Sequence, residues 1–339
     1  MNLPRVAISM GDPAGIGPEL CLKVISNPRI LATCVPVIVG DAKLLTRVAQ
    51  KMGQSFHAEK LTGESLSDGG VRILDGSSLN LDEVKPGEIS QISGQASFDF
   101  VATAIEAAKS GTVDAVVTCP IHKESWQLAG IKYPGHTELF AAENGTNRFC
   151  MMMTAPAFSC SLVTTHVGYR EVPELITPSR IVEVGMLTHS ALTKILGRKP
   201  KLTMLGLNPH AGENGLFGNQ EEELSIGPAV EILVSRGIEI DGPIPADTAF
   251  LPAKRQLTDG YICMYHDQGL IPFKAFNFDT GVNVTLGLEK MIRTSVDHGT
   301  AMNIAWQGIA DESSLVSAIE LATKLASSGT ELNPENNLK

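Results

Sequence analysis

Histidines form the first chemical pattern of the sequence, because five of the eight lie in polar, glycine-rich segments at the ends of apolar runs. These five are His136, His166, His210, His266 and His298. In an α/β protein, ligands bind at the carboxyl ends of the strands, so histidines that follow strand-like runs are expected at that edge. Neutral imidazole is a common ligand of zinc and similar divalent ions, and three of them leave coordination positions open for a substrate. The pattern therefore favours a catalytic metal site, although a single histidine of this kind more often makes an ordinary hydrogen bond.

Charged residues accompany these histidines. Asp267 directly follows His266, and Asp247 lies in a Gly- and Pro-rich segment. Carboxylates orient metal-bound imidazoles and accept protons, but a helix cap or turn explains Asp247 equally well. Lys274 and Arg293 lie in similar segments and indicate a small anionic substrate, because arginine matches carboxylate and phosphate with a planar fork. Surface ion pairs are the alternative for both cations.

Several familiar motifs are absent. The glycines between residues 11 and 17 stand where a dinucleotide-binding loop would lie, but Leu20 replaces the third glycine of that fingerprint. No Lys-Ser or Lys-Thr follows, so the segment is not a phosphate-binding P-loop. G-x-S-x-G and H-E-x-x-H are also missing, which leaves a serine hydrolase and a zinc peptidase unsupported. The glycines predict either a tight strand-to-helix turn or a close approach of a ligand to the backbone.

The composition is that of a globular protein of 339 residues with 43% hydrophobic and 19% charged residues. A net charge of −10 argues against nucleic acid as a partner. No apolar run of about 18 residues is present, so no membrane partner is expected. The N-terminal residues lack the architecture of a signal peptide, and the six cysteines show no C-x-x-C spacing. We therefore expect a cytoplasmic protein with reduced thiols.

Strand-like and helix-like segments alternate along the first half of the chain. Residues 6–10, 35–39 and 113–118 have the pattern of buried strands, and residues 95–110 have that of a helix. This alternation predicts a mainly parallel sheet covered by helices. Residues 149–153 and 158–165 instead predict an antiparallel hairpin. Residues 221–236 predict a single acidic, amphipathic helix. Since no flexible linker is visible, we expect two α/β/α lobes about a central cleft.

Nine segments together resemble the 4-hydroxythreonine-4-phosphate dehydrogenase family of pyridoxal-phosphate biosynthesis. They are MGDPAGIGPE at 10–19, CPIHKESW at 119–126, YPGHTE at 133–138, TTH at 164–166, NPHAGENGLFG at 208–218, GPIPADT at 242–248, MYHDQGLIPFK at 264–274, GVNVTLGL at 281–288 and IRTSVDHGTA at 292–301. They follow one another in order over nearly the whole chain. The resemblance implies a fold like that of isocitrate and isopropylmalate dehydrogenases, without a Rossmann fingerprint.

The resemblance also implies how the chain is organised. The first lobe, residues 1–130 with 286–330, is expected on the cofactor side. The second lobe, residues 131–285, is expected to hold the metal site and the dimer interface. The family implies a homodimer with its active site at the subunit interface.

Site residues follow from the resemblance by position. The implied metal ligands are His166, His210 and His266, with His266 supplied by the partner subunit, for one divalent ion (Zn, Mg or Co) per active site. The implied substrate binders are His136, Thr137, Lys274, Asn283 and Arg293. The cofactor, NAD or NADP, is expected near residues 283–300, with Asn283, Thr294, Ser295, Asp297 and His298 as candidate contacts.

The implied reaction is the oxidation of a secondary alcohol of 4-hydroxythreonine 4-phosphate, followed by decarboxylation of the β-keto acid. A divalent ion lowers the pKa of the hydroxyl, and the nicotinamide takes the hydride. The candidates for the proton acceptor are Asp247, Asp267 and Lys274.

This chain departs from the family pattern near the expected cofactor segment. Where the family commonly has GLPxIRTS, the chain has no proline and one more residue, beside Glu289 and Lys290. Where the family often has A-x-D-I-A-G, the chain carries Asn303 and Trp306. These changes bear on the nicotinamide preference.

Alternative functions remain open at the level of sequence. The same chemistry on 4-phospho-D-threonate, 4-phospho-erythronate or a cis-dihydrodiol carboxylate would use the same metal ligands. A metal-dependent hydrolase or lyase without nicotinamide is the alternative from a different class. A non-catalytic binding protein is disfavoured by the presence of all three histidines.

Overall fold

The structure, a computed structural model, describes residues 3–57, 59–60, 72–76, 79–277, 280–289 and 291–328. The strands are β1 (Arg5–Ser9), β2 (Val35–Gly40), β3 (Glu59–Lys60), β4 (Arg72–Asp75), β5 (Ala115–Thr118), β6 (Cys150–Thr154), β7 (Ser159–Leu162), β8 (Leu202–Leu205), β9 (Ile240–Ile244), β10 (Gly260–Cys263), β11 (Val282–Leu286) and β12 (Arg293–Val296). The helices are α1 (Gly17–Val24), α2 (Pro28–Leu31), α3 (Ala42–Lys51), α4 (Gln91–Lys109), α5 (Lys123–Leu128), α6 (His136–Asn144), α7 (Val172–Leu175), α8 (Pro178–Leu196), α9 (Gly227–Ser235), α10 (Ala246–Ala249), α11 (Pro252–Arg255), α12 (His266–Asn277) and α13 (Ser313–Ser327). Short 3₁₀ turns are Leu81–Glu83, Pro209–Gly212 and Met302–Ile304, and Glu222–Ile226 is a π-helical turn.

The chain divides into two compact units. The first comprises the described residues within 1–145 and 290–330, and the second comprises those within 146–289. Residues 131–145, which the sequence analysis assigned to the second lobe, group with the first unit, because Phe140 and His136 contact Arg293 and Trp126 of that unit. Lys290, beside the added residue noted above, lies outside the described residues.

The first unit contains strands in the order β3-β4-β2-β1-β5-β12, all parallel to their neighbours. Nearly every residue of β1, β2 and β5 is buried. Continuous apolar runs of this kind are typical of parallel strands covered on both faces. The parallel sheet predicted from the alternating pattern is confirmed.

Polar side chains cap the first turns of several helices. The carboxylate of Asp41 accepts a hydrogen bond from the Leu44 backbone N–H at 2.8 Å at the start of α3. Ser90 and Thr177 cap α4 and α8 in the same way, and Gly197, with φ 69°, ends α8. Each cap satisfies an amide that the helix itself leaves unpaired, and the left-handed glycine closes the last turn.

The glycine-rich loop after β1 packs against the protein's own backbone. A Cβ at Gly11, whose φ is +72°, would lie 2.3 Å from the carbonyl oxygen of Pro120. A Cβ at Gly17 would lie 2.0 Å from the carbonyl oxygen of Met10. At these two positions glycine is therefore required by a tight strand-to-helix turn, which is the first of the two explanations that the sequence allowed.

The second unit contains strands in the order β11-β6-β7-β10-β8-β9. β6 is antiparallel to both β11 and β7, whereas β7, β10, β8 and β9 run parallel. The hairpin predicted from residues 149–153 and 158–165 is confirmed as β6 and β7. Phe158 lies at the centre of this unit's core and makes edge-to-face contacts with Tyr261 and Phe273, each at a ring separation of 5.6 Å.

One predicted helix has a different form in the structure. The sequence predicted a single helix over 221–236, but the chain makes the π-helical turn Glu222–Ile226 before α9 begins at Gly227. Pro228 lacks the backbone N–H that a continuous α-helix would use at this point, so the regular hydrogen-bond ladder is interrupted.

All six cysteines are free thiols and buried. In the described part of the chain, no helix is both long enough and apolar enough to cross a membrane.

Candidate active site

Two of the candidate metal ligands meet in the second unit. His166 follows β7, and His266 is the first residue of α12, just after β10. Because β7 and β10 are neighbouring parallel strands, with Leu162 opposite Cys263, their carboxyl ends lie side by side. The two imidazole rings are 5.9 Å apart between centroids. His266 was expected in a loop, but the structure places it in the first turn of a helix.

Asp267 orients His266. Its Oδ1 lies 2.7 Å from His266 Nδ1, and its Oδ2 accepts a hydrogen bond from the Tyr169 hydroxyl. The bonds from Tyr169 and His266 hold the pKa of the Asp267 carboxyl below its ordinary value, so it is ionised at neutral pH. This arrangement leaves His266 Nε2 as the nitrogen for a metal ion, which is the common carboxylate–imidazole arrangement of metal sites.

A cavity of ≈ 240 Å³ lies beside this histidine pair. Its lining residues are Thr165, His166, Val167, Tyr169, Val172, Tyr265, His266 and Asp267. The lining combines two imidazoles, a carboxylate and two tyrosines with the apolar side chains of Val167 and Val172. Mostly apolar pockets with a few placed polar groups are typical of small-molecule sites.

His210 lies in a strained turn after β8. Its φ is 53° and that of Ala211 is 52°, a region that non-glycine residues seldom adopt. Buried Glu222 fixes the preceding residues, because its Oε1 accepts the backbone N–H groups of Leu207 and Asn208 at 2.8 Å each. His210 Nδ1 lies 2.8 Å from Glu213 Oε2, which raises the pKa of His210.

The imidazoles of His166, His210 and His266 are suitable ligands for a divalent metal ion, but the structure does not bring all three together. His210 and His266 each have Nδ1 beside a carboxylate and Nε2 left for a ligand. Within the described ranges, however, no group of three or more His, Cys, Asp and Glu side chains is arranged to hold a metal ion. The structure therefore brings His166 and His266 together, and among the described residues no complete three-ligand set forms around them.

In the first unit, Arg293 and His136 form a candidate anion site. Arg293 is 2% exposed, its Nη2 donates to Thr118 Oγ1 at 2.9 Å, and its guanidinium lies 5.6 Å from the centroid of the Phe140 ring. Burial lowers the pKa of Arg293 to about 9. The nearby charge of Glu138 acts in the opposite direction and raises it. A guanidinium in such a setting can also bind an anionic ligand through charge-assisted hydrogen bonds.

His136 begins α6, so it too lies in a helix and not in a loop. Its ring packs edge-to-face against Trp126 at 5.8 Å, and its Nε2 is buried without a hydrogen-bond partner. Burial first, and then the charge of Arg293, lower the pKa of His136 well below its ordinary value, so the imidazole is neutral. Thr137 follows it in the first helical turn, where backbone N–H groups have no partner within the helix.

Three further candidates for substrate binding or proton transfer lie in the second unit. In the second unit, Lys274 is on α12 and Asn283 is on β11, where its Oδ1 is buried without a hydrogen-bond partner. Asp247 lies in α10 and contributes to the raised pKa of His210.

Four of the five candidate cofactor contacts lie on β12 and just beyond it, in the first unit, whereas the fifth, Asn283, is on β11 in the second unit. The Thr294 hydroxyl donates to the backbone of Ala318 at 2.8 Å, and Ser295 is buried. Asp297 and His298 follow the end of the strand, where a ligand is expected.

Sequence reasoning missed several residues of these sites. Tyr169 binds Asp267, and Glu222 fixes the turn that carries His210. In the first unit, the wholly buried Asp12 lies close to Ser93, Ser125 and His122, and burial raises its pKa. Glu213 could have been found from the sequence, because a carboxylate three residues after His210 can reach its ring. The contacts of Tyr169, Glu222 and Asp12 join parts of the chain that are farther apart in sequence.

The second unit thus carries two neighbouring imidazoles at the ends of parallel strands, and the first unit holds a buried arginine beside a neutral histidine. A family profile described as pyridoxal phosphate biosynthetic protein PdxA matches residues 32–322. The chain is 43% identical over 327 residues to a putative D-threonate 4-phosphate dehydrogenase of Oceanobacillus iheyensis, covering 95% of this chain and 98% of the relative. It is 41% identical over 325 residues to a 4-hydroxythreonine-4-phosphate dehydrogenase of Desulforapulum autotrophicum, covering 95% of each.

Comparison with solved structures indicates the same family. A crystal structure of a 4-hydroxythreonine-4-phosphate dehydrogenase from Burkholderia phymatum matches with a TM-score of 0.80 and 40% identity, covering 96% of this chain and 99% of that one. The chain therefore belongs to the PdxA family. It is an oxidative decarboxylating dehydrogenase of that family, and membership implies NAD or NADP and a divalent metal ion.

Proposed function

We propose that the enzyme oxidises the secondary alcohol of 4-hydroxythreonine 4-phosphate with NAD or NADP and that the resulting β-keto acid loses CO₂. The observation that carries the choice of a phosphorylated substrate is Arg293, which is 2% exposed and lies beside a neutral His136. A phosphate dianion accepts charge-assisted hydrogen bonds from the planar fork of a guanidinium, and Glu138 supplies a further charge near Arg293.

D-threonate 4-phosphate is the second candidate substrate. It is favoured by the 43% identity to the Oceanobacillus iheyensis relative described as a putative dehydrogenase of that compound. The two acids share the phosphate and differ in an amino or hydroxyl group next to the carboxylate. The phosphate-binding residues proposed here serve both equally.

The chain's own side chains supply binding and proton transfer. Arg293, His136 and Thr137 hold the phosphate, and Lys274 and Asn283 contribute further substrate contacts. His166, His210 and His266 would hold the metal. When bound, the divalent ion supplies Lewis acidity to the substrate hydroxyl and the nicotinamide accepts hydride.

Asp247 is the best candidate for the proton acceptor. Asp267 already accepts a bond from Tyr169 and faces His266 Nδ1, so its role is to orient that imidazole. Asp247 lies close enough to His210 to raise its pKa. A carboxylate beside a metal-binding imidazole is well placed to take the proton that the substrate hydroxyl loses. Lys274 is the alternative.

A second copy of the chain completes the metal site in this proposal. Described residues of one chain provide no three-ligand group, and the family resemblance assigns His266 to the partner subunit. The second unit exposes several large apolar side chains that an interface could cover, among them Leu216, Leu224, Leu257 and Ile271.

Mixing two inactive variants tests the shared site. His210→Ala and His266→Ala subunits, co-expressed and randomly paired, leave one intact site in each mixed dimer, so about a quarter of wild-type activity is expected. If all three ligands come from one subunit, no mixed dimer contains an intact site and activity stays at the level of the parent variants.

A substrate panel tests the reaction itself. The purified enzyme is assayed with 4-hydroxythreonine 4-phosphate, D-threonate 4-phosphate, erythronate 4-phosphate and a cis-dihydrodiol carboxylate, with each nicotinamide. We expect reduced nicotinamide with a phosphorylated acid, abolished by a chelator and restored by a divalent metal. Product formation in the absence of any nicotinamide would instead indicate the hydrolase or lyase alternative.

A further inference from the structure

The turn after the 3₁₀ segment Met302–Ile304 contains a strained tryptophan. Trp306 has φ 62°, a conformation that suits the glycine found here in the family pattern and strains a bulky side chain. The indole is nevertheless 2% exposed, and its Nε1 donates to the Pro13 carbonyl at 3.0 Å. A side chain kept in such a conformation by specific contacts indicates a local function.

Two cations face the Trp306 ring. The Arg47 guanidinium and the Lys51 ammonium each lie 5.7 Å from its centroid. Cations over an indole face are stabilised by the ring quadrupole, which limits where their side chains extend. The Arg47 Nη1 also donates to the Leu81 carbonyl, so its guanidinium is held from two sides.

These cations belong to a wider basic face of α3. Lys43, Arg47 and Lys51 are spaced four residues apart, which puts them on one side of the helix. The helix, AKLLTRVAQK, contains no acidic side chain. Over the ranges that the structure describes, none of the three has a carboxylate partner. We call these three residues the α3 basic face.

The surrounding segments lie where a nucleotide is expected to bind. α3 starts after the carboxyl end of β2, and the turn with Trp306 follows the carboxyl end of β12. The backbone joins them through the loop after β1, since the Ile16 N–H donates to the Thr300 carbonyl at 3.0 Å. All of these segments belong to the first unit. Nucleotides in parallel α/β sheets bind at this edge.

Asn303 supplies the second half of the argument. It is exposed and neutral at a position where the family pattern has aspartate. In nucleotide sites, a carboxylate hydrogen-bonds the adenosine ribose of NAD, whereas a nearby arginine accommodates the 2′-phosphate of NADP. Asn303 lies three residues before Trp306, whose ring faces Arg47 and Lys51. An aspartate in this turn would add a negative charge that opposes binding of a phosphate, and asparagine does not.

We propose that the α3 basic face, held by Trp306 and combined with the neutral Asn303, binds the 2′-phosphate of NADP and makes the enzyme select NADP over NAD. The inference rests on the proposed function in that it requires a nicotinamide cofactor. It adds the phosphomonoester on the adenosine ribose as the group that is recognised.

Calorimetric binding of two nucleotide fragments tests this without catalysis. The probes are adenosine 2′,5′-bisphosphate and 5′-AMP, which differ only in the 2′-phosphate. We expect the bisphosphate to bind about tenfold more tightly to the wild type, because an ionised phosphate forms charge-assisted bonds with arginine and lysine. Equal affinities would overturn the proposal.

Variants assign the effect to the named residues. Arg47→Gln and Lys51→Gln are each expected to weaken binding of the bisphosphate by about tenfold and to leave binding of 5′-AMP unchanged. Asn303→Asp is also expected to reduce the preference for the bisphosphate over 5′-AMP. Lys109→Gln, in the same unit but paired with Glu143, is the matched control and should change neither affinity. Unchanged bisphosphate binding in both Arg47→Gln and Lys51→Gln would refute the assignment.

The two proposals fail in distinguishable ways. If NAD is reduced efficiently and 5′-AMP binds as tightly as the bisphosphate, the selection of NADP is wrong and the proposed reaction stands. If neither fragment binds and neither nicotinamide is reduced with any substrate of the panel, both proposals are wrong.

Discussion

Replacement of Arg293 by methionine tests the phosphate site most sharply. Methionine keeps much of the length and apolar character of the side chain but removes the guanidinium that donates to Thr118 and lies over Phe140. Among its losses are this hydrogen bond and this cation–π contact, each worth about 1 kcal/mol, and the attraction between the guanidinium and Glu138. The variant also removes the free-energy cost of a buried cation, which opposes these losses, so the free energy of unfolding should fall by no more than about 3 kcal/mol.

The effect on catalysis should be much larger. A guanidinium that binds phosphate through charge-assisted hydrogen bonds contributes about 3 kcal/mol, which corresponds to a loss of roughly 150-fold in kcat/KM. That loss should be confined to phosphorylated substrates. A substrate that lacks the phosphate should react equally slowly with the wild type and with Arg293→Met.

Initial rates of nicotinamide reduction measure this coupling. The cycle compares wild type and Arg293→Met, each with a phosphorylated acid and its dephosphorylated analogue. Arg148→Met is the matched control, because Arg148 is 59% exposed and pairs with Glu183 at 3.7 Å in the second unit. A change of less than about threefold in kcat/KM of Arg293→Met, or equal losses on both substrates, would refute the phosphate role.

Three further substitutions have expected outcomes. Burial raises the pKa of Asp12, so the ionised carboxylate destabilises the folded state, and the free energy of unfolding falls as the pH rises above the pKa of this group in the unfolded chain. Asp12→Asn should therefore raise the melting temperature by a few degrees near pH 8 and by less near pH 4. A series of thermal melts at different pH values measures this difference. Phe158→Ala should lower the free energy of unfolding by about 3–5 kcal/mol, because its contacts with Tyr261 and its neighbours are lost, and denaturant unfolding measures that loss. Glu222→Gln should shift the turn that carries His210, because the Glu222 carboxylate accepts the backbone N–H groups of Leu207 and Asn208. Divalent-metal binding should weaken by about 10- to 100-fold in a metal titration. Unchanged metal affinity would contradict a positioning role for Glu222.

Local patterns predicted much of the architecture. Alternating buried strands and helices predicted the parallel strands of the first unit, and the adjacent runs at 149–153 and 158–165 predicted the β6–β7 hairpin. Such features follow from side-chain period and turn residues that lie close together in sequence. The helix predicted over 221–236 was only partly right, because Pro228 interrupts the hydrogen-bond ladder at the start of α9.

The site was predictable in its residue types and less so in its geometry. His166 and His266 are 100 residues apart, and their proximity depends on the pairing of β7 with β10, which no local pattern encodes. The Tyr169–Asp267 bond and the cations facing Trp306 are long-range contacts of the same kind. The substrate-binding roles of His136 and Arg293 remain predictions, although the structure places the two side chains close enough for the charge of Arg293 to lower the pKa of His136.

The most direct test of the central claim is the stoichiometry of one reaction. Metal-loaded enzyme with 4-hydroxythreonine 4-phosphate or D-threonate 4-phosphate should release CO₂ and form reduced nicotinamide in equal amounts, and removal of the metal by a chelator should stop both. Reduced nicotinamide without CO₂, or turnover that persists after complete metal removal, would contradict a metal-dependent oxidative decarboxylation of a phosphorylated hydroxy acid.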